Sequence, residues 1–280
     1  MSRHKEQQGF LTIAANTDDT DYLRLAYLQA LNIKATQKIK SFAVIVDKKT
    51  SDKIQDFHKE VFDYIIEVPE STNGPFGLET QAFWQTPFKE TIKLESDLLI
   101  PRSIDHWWNA FRLRDIVLST GCKDYKLQSS GTRKYRKLFD NNNLPDLYNG
   151  LMYFRFSQTA TNFFTTATNI FNNWDEVKQV LTGCDDPFPT TDVVYALAAR
   201  IIGEELCSIP TLDFINFVHM KPAINDFDES LDFTDVFVTE FNDGIIRINN
   251  INQYHPIHYN LKNFPTEAMF EYYRSMAGIN

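Results

Sequence analysis

Glu95 and Asp97 stand one residue apart inside an otherwise apolar run, Thr91-Ile92-Lys93-Leu94-Glu95-Ser96-Asp97-Leu98-Leu99-Ile100. In a strand, residues i and i+2 point to the same side. The spacing therefore predicts two carboxylates presenting their oxygens together at a strand end. Two hard oxygen donors on one side suit Mn²⁺ or Mg²⁺, and such an ion keeps positions open for phosphates. A solvated turn fits the same two residues, so the surrounding chain has to discriminate.

The elements around the pair alternate. Phe10 to Ala15 reads as a first strand, Asn16 to Asp21 as a polar turn, and Tyr22 to Ile33 as a helix with Leu25, Leu28 and Leu31 at helical spacing. Ser41 to Val46 is a second strand. Thr50 to Val61 reads as an amphipathic helix capped by Thr50 or Ser51, with Ile54, Phe57 and Val61 toward the sheet. Tyr64 to Val68 is a third strand, and Pro69 to Pro75 a loop. Leu78 to Phe88 reads as a helix leading to the carboxylate strand. Val117 to Thr120, Leu147 to Phe156 and Phe214 to His219 are further strands; Thr159 to Phe171 and Thr191 to Ile202 are further helices. Trp107 and Trp108 are expected in the core. Alternating strands and helices imply a parallel, doubly wound sheet with right-handed crossovers. Ligands of such sheets bind at the carboxyl ends of the strands. The loops after Ala15, Asp97, Gly150 and His219 should then meet on one rim.

The tail differs. Val236 to Phe241 and Ile245 to Ile248 flank Asn242-Asp243-Gly244, a hairpin signal, and Pro265 to Met276 reads as a terminal helix. We expect a catalytic domain over 1–225 and an extension, 226–280, packed on it.

The 280 residues carry a net charge of −9, with 43% hydrophobic and 14% aromatic residues. That composition supports a packed core, and the acidity argues against broad nucleic-acid binding. One basic cluster, Lys123, Lys126, Arg133, Lys134, Arg136 and Lys137, falls in a long polar stretch, Lys123 to Asn143. It reads as a solvated loop or as a local groove. Cys122, Cys184 and Cys207 show neither metal-ligand spacing nor a disulfide framework, which fits a reducing compartment. Met1 to Gly9 is polar, and no apolar run reaches about 18 residues, so neither signal peptide nor membrane span is expected. The expected location is cytoplasmic.

Taken in order, several segments resemble the glycogenin-like family of retaining glycosyltransferases. Leu11-Thr12-Ile13-Ala14-Ala15-Asn16 is similar to that family's first strand and nucleotide-binding turn. Phe83-Trp84, then Leu94-Glu95-Ser96-Asp97, then Ile104-Asp105 resembles its metal-binding segment, with Glu95 one methylene longer than the usual Asp. Tyr148-Asn149-Gly150-Leu151-Met152-Tyr153-Phe154 is similar to its strand beneath the sugar. Thr190-Thr191-Asp192 stands where the family has an Asp-Gln pair. Val218-His219-Met220-Lys221-Pro222 resembles its late His…Lys-Pro motif. The resemblance spans roughly residues 10 to 225.

It implies a GT-A type, Rossmann-like, mostly parallel mixed sheet flanked by helices, here followed by a C-terminal β-hairpin and helix. It also implies a nucleotide-sugar donor, most simply a UDP-sugar, and Mn²⁺ or Mg²⁺. Glu95, Asp97 and His219 would hold the cation, and Lys221 would meet the diphosphate. Ala15 and Asn16 would meet the nucleotide, and Tyr22 would stack on the base; Asn16 and Tyr22 also read as a helix cap and a core tyrosine. Asn149, Gly150 and Asp192 would lie on the sugar and acceptor side, Asp192 orienting the acceptor hydroxyl or steadying an oxocarbenium-like sugar. Apart from the resemblance, Tyr254-His255-Pro256-Ile257-His258-Tyr259 places two histidines in the tail: His258 competes with His219 for the third ligand position, and His255 and His258 also read as groups covering the donor or touching the acceptor, or as aromatic packing between tail and core. The acceptor is a glycan or protein. Asn, Phe, Ile and Lys usage is reminiscent of phage proteins, and for a phage-encoded member a hydroxymethylated DNA base enters as acceptor. A nucleotidyltransferase of similar architecture and a catalytically degenerate sugar-nucleotide-binding protein are the alternatives.

Overall fold

Side-chain alternation along the first strand explains how the layers form. In β1 (Glu6–Ala14), Phe10 and Ala14 enter one apolar layer while Leu11 enters the other. β2 (Phe42–Val46) repeats the pattern, with Phe42, Val44 and Val46 on one side and Ala43 and Ile45 on the other. A sheet buried on both faces reads as a near-continuous apolar run, as β2 does and as β1 does from Phe10 onward except at Thr12. The fold is that of a computed structural model, which describes residues 5–69, 75–130, 136–209 and 215–279.

With β3 (Tyr64–Glu67), β4 (Phe88–Leu94), β5 (Leu98–Leu99), β6 (Ile116–Thr120) and β7 (Leu147–Arg155), the main sheet has the order β3-β2-β1-β4-β7-β6. Its first four strands are parallel. β7 runs antiparallel to both β4 and β6. The chain is thus mixed α/β, with a mostly parallel central sheet. Because β7 is reversed, its beginning, Tyr148 to Gly150, lies at the carboxyl ends of the parallel strands, with Leu151 opposite Leu94. The helices Gln158–Asn172 and Thr191–Ile202 cover one face. The helix Tyr22–Thr36 covers the other, beside Trp107 and Trp108, both buried.

Two expected helices are broken, each for a local reason. The segment from Thr50 to Val61 divides into Lys48–Ser51 and Asp56–Val61. Asp47 caps the first by accepting the Thr50 amide, and Gln55 opens the second in a reciprocal capping box with His58. Thr50 is therefore inside a helix, where its hydroxyl accepts the Asn16 amide at 2.7 Å. Phe57 is exposed, while Val61 is buried. The segment from Leu78 to Phe88 divides into Pro75–Glu79 and Ala82–Gln85. Pro87 forces extended backbone on Thr86, so Phe88 begins β4. The loop expectation at 70–74, Arg133, Lys134 and the strand start at Phe214 lie outside the described residues.

The tail adds β8 (Val218–His219), β9 (Thr239–Asn242), β10 (Ile245–Ile248), β11 (Ile251–Gln253) and β12 (Ile257–His258). β9 and β10 form the expected hairpin. Asp243 (φ 49°) and Gly244 (φ 78°) occupy its two-residue turn, the positive-φ pair of a type I′ turn. A third strand, β11, extends it through a second tight turn at Asn249 (φ 51°). The terminal helix Glu267–Ala277 packs on Tyr22–Thr36 and ties to it through an Arg24–Glu267 ion pair at 2.8 Å. β12 inserts between β5 and β8, antiparallel to the first and parallel to the second. Among the described residues, no helix is long and apolar enough to cross a membrane.

Buried polar side chains on helix Tyr22–Thr36 hold the carboxylate segment. The Gln29 amide donates to the carbonyls of Glu95 and Leu98, each at 2.6 Å. Asn32 both donates to and accepts from the backbone of Ile100. Gln29→Ala removes a side-chain donor from two carbonyls, of which that of Glu95 keeps the Leu98 amide. It should destabilise the fold by about 1–3 kcal/mol, read by urea denaturation, whereas Asn→Asp at exposed Asn109 should not.

Candidate metal centre

β4 ends at Leu94 and the chain turns at once, the Leu98 amide donating to the Glu95 carbonyl at 3.1 Å. Glu95 and Asp97 thus share a turn, where strand alternation was expected to align them. They converge on a third residue. His258 Nε2 lies 2.9 Å from Asp97 Oδ2 and 3.4 Å from Glu95 Oε2. One ligand atom from each of Glu95, Asp97 and His258 lies within 4.8 Å of the others, and among the described residues this is the cluster suited to a metal ion.

The strand pairing decides which histidine sits there. β12 and β8 pair with His258 opposite His219, so the two rings stack at 4.5 Å and 7°. His219 is adjacent to the three-atom cluster, and its buried Nδ1 meets no partner of good hydrogen-bond geometry among the described residues. Two carboxylates and an imidazole nitrogen are a donor set that Mn²⁺ or Mg²⁺ accepts, and an orphaned buried nitrogen beside them supplies a fourth candidate donor.

The charges are strongly coupled. Burial disfavours the Asp97 carboxylate, yet His258 and Lys262 hold its carboxyl well below the usual range. Burial would lower the His258 pKa, and Asp97 and Glu95 raise it instead. Burial raises the Glu95 carboxyl; His258 opposes that rise, and the neighbouring Asp97 charge adds to it. Burial, with His258 and Lys221 nearby, pushes His219 far down, so its ring is neutral.

A cleft of about 470 Å³ opens over the cluster. Ala15, Tyr22, Gly150, Asp192, His219 and Lys221 line it together with Glu95, Asp97 and His258. The expected meeting of four loops on one rim is thus what the fold produces. Gly150 leaves space at the floor, since a Cβ there would stand 3.0 Å from the Phe217 ring and 3.4 Å from Glu95 Oε2. Asp192, in the first turn of helix Thr191–Ile202, accepts the Asn149 amide at 2.8 Å and lies 3.7 Å from Arg136.

Two expected residues stand behind the wall. Asn16 accepts the Leu23 amide and donates to Asp21, so its side chain anchors the turn before helix Tyr22–Thr36. Asn149 links Lys93 to Glu95: its Oδ1 accepts from the Lys93 ammonium at 3.0 Å and its amide donates to Glu95 Oε1 at 3.4 Å. Lys93 is 0% exposed and also pairs with Glu79 at 2.6 Å. Glu79, expected near the donor site, lines the cleft; Lys93 was not anticipated as part of it. A lysine alternating into a buried strand was the available signal.

The described members of the basic cluster do not share one exposed surface. Lys123 and Arg136 are buried, and Arg136 is engaged by Asp146, by the Leu147 carbonyl and by the rings of Phe139 and Tyr148. The three cysteines form no disulfide with one another, and Cys122 and Cys207 are buried.

No family model matches the sequence, and no curated protein matches it. Solved structures similar to it include mouse xyloside xylosyltransferase 1 in its apo form, with TM-score 0.46 and 10% identity over 73% of this chain and 84% of that one. The glycosyltransferase GlyE of Streptococcus pneumoniae gives TM-score 0.44 and 9% identity over 75% of this chain and 46% of that one, so this chain spans less than half of GlyE. The galactosyltransferase LgtC, in complex with donor and acceptor sugar analogs, gives TM-score 0.43 and 12% identity, over 68% of this chain and 70% of that one.

Proposed function

We propose that this chain is a metal-dependent glycosyltransferase that moves a sugar from a nucleotide sugar, a UDP-sugar in the simplest case, to a hydroxyl acceptor with retention. The observation that carries the reading is the convergence of Glu95, Asp97 and His258 at the floor of a cleft at the carboxyl ends of the parallel strands. Bound by those residues, Mn²⁺ or Mg²⁺ would neutralise the negative charge that develops on a departing diphosphate.

The chain's own groups divide the remaining work. Lys221, on the cleft wall, supplies a point charge for the phosphates. Ala15 offers backbone to the nucleotide, and Tyr22 offers its ring to the base. Asn149 fixes the Glu95 carboxylate. Asp192, held by the Asn149 amide, orients the acceptor hydroxyl on the face that the leaving phosphate vacates. The acceptor is a glycan or protein hydroxyl. Burial of Lys123 and Arg136 weighs against a DNA backbone contact there.

Thermal unfolding tests the reading first. Mn²⁺ and UDP together should raise the melting temperature by about 5 °C or more, as saturating ligand does for a chain of this size, with each alone doing little. Mass spectrometry of products from a panel of UDP-sugars and acceptors then identifies the transfer. Failure to hydrolyse or transfer any nucleotide sugar in the presence of either cation would overturn the proposal.

A further inference from the structure

Lys262 stands where neither the acid pair nor the late His-Lys motif required a residue. It follows β12 by four residues, and its ammonium contacts Asp97 Oδ2. That same oxygen receives His258 Nε2 at 2.9 Å. The Asp97 side chain is only 4% exposed, so this oxygen has little access to water, and protein groups satisfy it. The Lys262 side chain is 34% exposed and borders two spaces: the cleft over the cluster and an adjoining cavity of about 740 Å³. The Tyr22 ring lies 5.6 Å from its ammonium on the cleft side.

A divalent cation on Asp97 Oδ2 would stand within a few ångströms of an ammonium held by the same oxygen, and at that separation the two positive charges repel. Lys262 has somewhere to go, since both spaces beside it open to solvent. We propose that Lys262 is a resident competitor for the divalent cation: its ammonium neutralises Asp97 in the metal-free chain and must leave that oxygen before the ion can bind. The proposal rests on the metal-dependent reading above. It makes the tail a determinant of metal affinity, separate from the ligands themselves.

Removing the ammonium should therefore tighten cation binding. Mn²⁺ titrated by calorimetry into the metal-free full chain, without nucleotide, should bind Lys262→Met about tenfold or more tightly than the parent, the size expected for deleting one adjacent like charge in a half-buried site. Lys262→Arg, which keeps the charge, should bind Mn²⁺ no more tightly than the parent. Asp97→Asn should lose the binding and marks the site titrated. Circular dichroism of each variant confirms the fold. If Lys262→Met binds Mn²⁺ with equal or lower affinity while Asp97→Asn still loses it, the competitor role is overturned and the metal centre stands. If parent and Lys262→Met alike bind no Mn²⁺, the metal centre itself falls and the competitor role with it.

Discussion

Asp97→Asn and Glu95→Gln should each lower turnover of a nucleotide sugar by about 10³-fold, some 4 kcal/mol of transition-state stabilisation. Both substitutions keep side-chain volume and remove the negative charge. Asp97 is the more sensitive position, because its Oδ2 is the oxygen on which His258 and Lys262 converge. The loss should fall on kcat, since the developing charge on the leaving group exists only in the transition state. His258→Ala should lower turnover less, because His219 stacks beside it with a buried, unpartnered Nδ1. Steady-state kinetics with excess UDP-sugar and Mn²⁺ held at the level that saturates the parent measures all three. An Asp97→Asn enzyme with parental kcat would remove the acid pair from the chemistry.

Lys93→Met should cost about 3–5 kcal/mol of stability, the range for breaking one side of a buried ion pair. Its ammonium has no exposure, and it serves both Glu79 and Asn149. Methionine fills most of the volume but leaves the Glu79 carboxylate unpaired beside the cleft. A drop of roughly 6–12 °C in melting temperature follows for a chain of this length. Glu79→Gln combined with Lys93→Met should lose less than the sum of the single changes, as coupled partners do. The change also frees the Asn149 side chain that contacts Glu95, so metal affinity should fall with stability. A Lys93→Met protein melting within about 2 °C of the parent would show that the pair contributes little.

The two predictions differ in how far the residues announced themselves. Glu95 and Asp97 were legible because two acids interrupting an apolar run are conspicuous in sequence alone. Lys93 sits in the same run, two residues before Glu95. Its partner Glu79 is fourteen residues away, at the end of a helix that starts at Pro75, three residues before the start expected from the sequence. Asn16 shows the opposite case, where the cap reading that stood beside the ligand reading is the one with contacts in the fold. Its position after the first strand suggested a ligand contact, but its amide is engaged by the Leu23 and Asp21 groups of the next helix. Asx side chains serve turns and caps by the same hydrogen bonds that would hold a ligand, and residue type does not distinguish the uses.

The alternation of strands with helices, the order of the rim loops, the hairpin at Asp243-Gly244 and the acid pair were written in local pattern. Periodicity and turn chemistry depend on neighbours along the chain, so they can be read there. The third member of the candidate cluster was decided by tertiary structure. β12 is two residues long and joins β5 and β8 through backbone hydrogen bonds, which carry no side-chain signature. That insertion sets His258 against Asp97 and carries Lys262 to the same oxygen across 165 residues of chain. Shifting the register by one residue would turn His258 to the opposite face, so the composition of the centre depends on a strand pairing that local sequence does not encode.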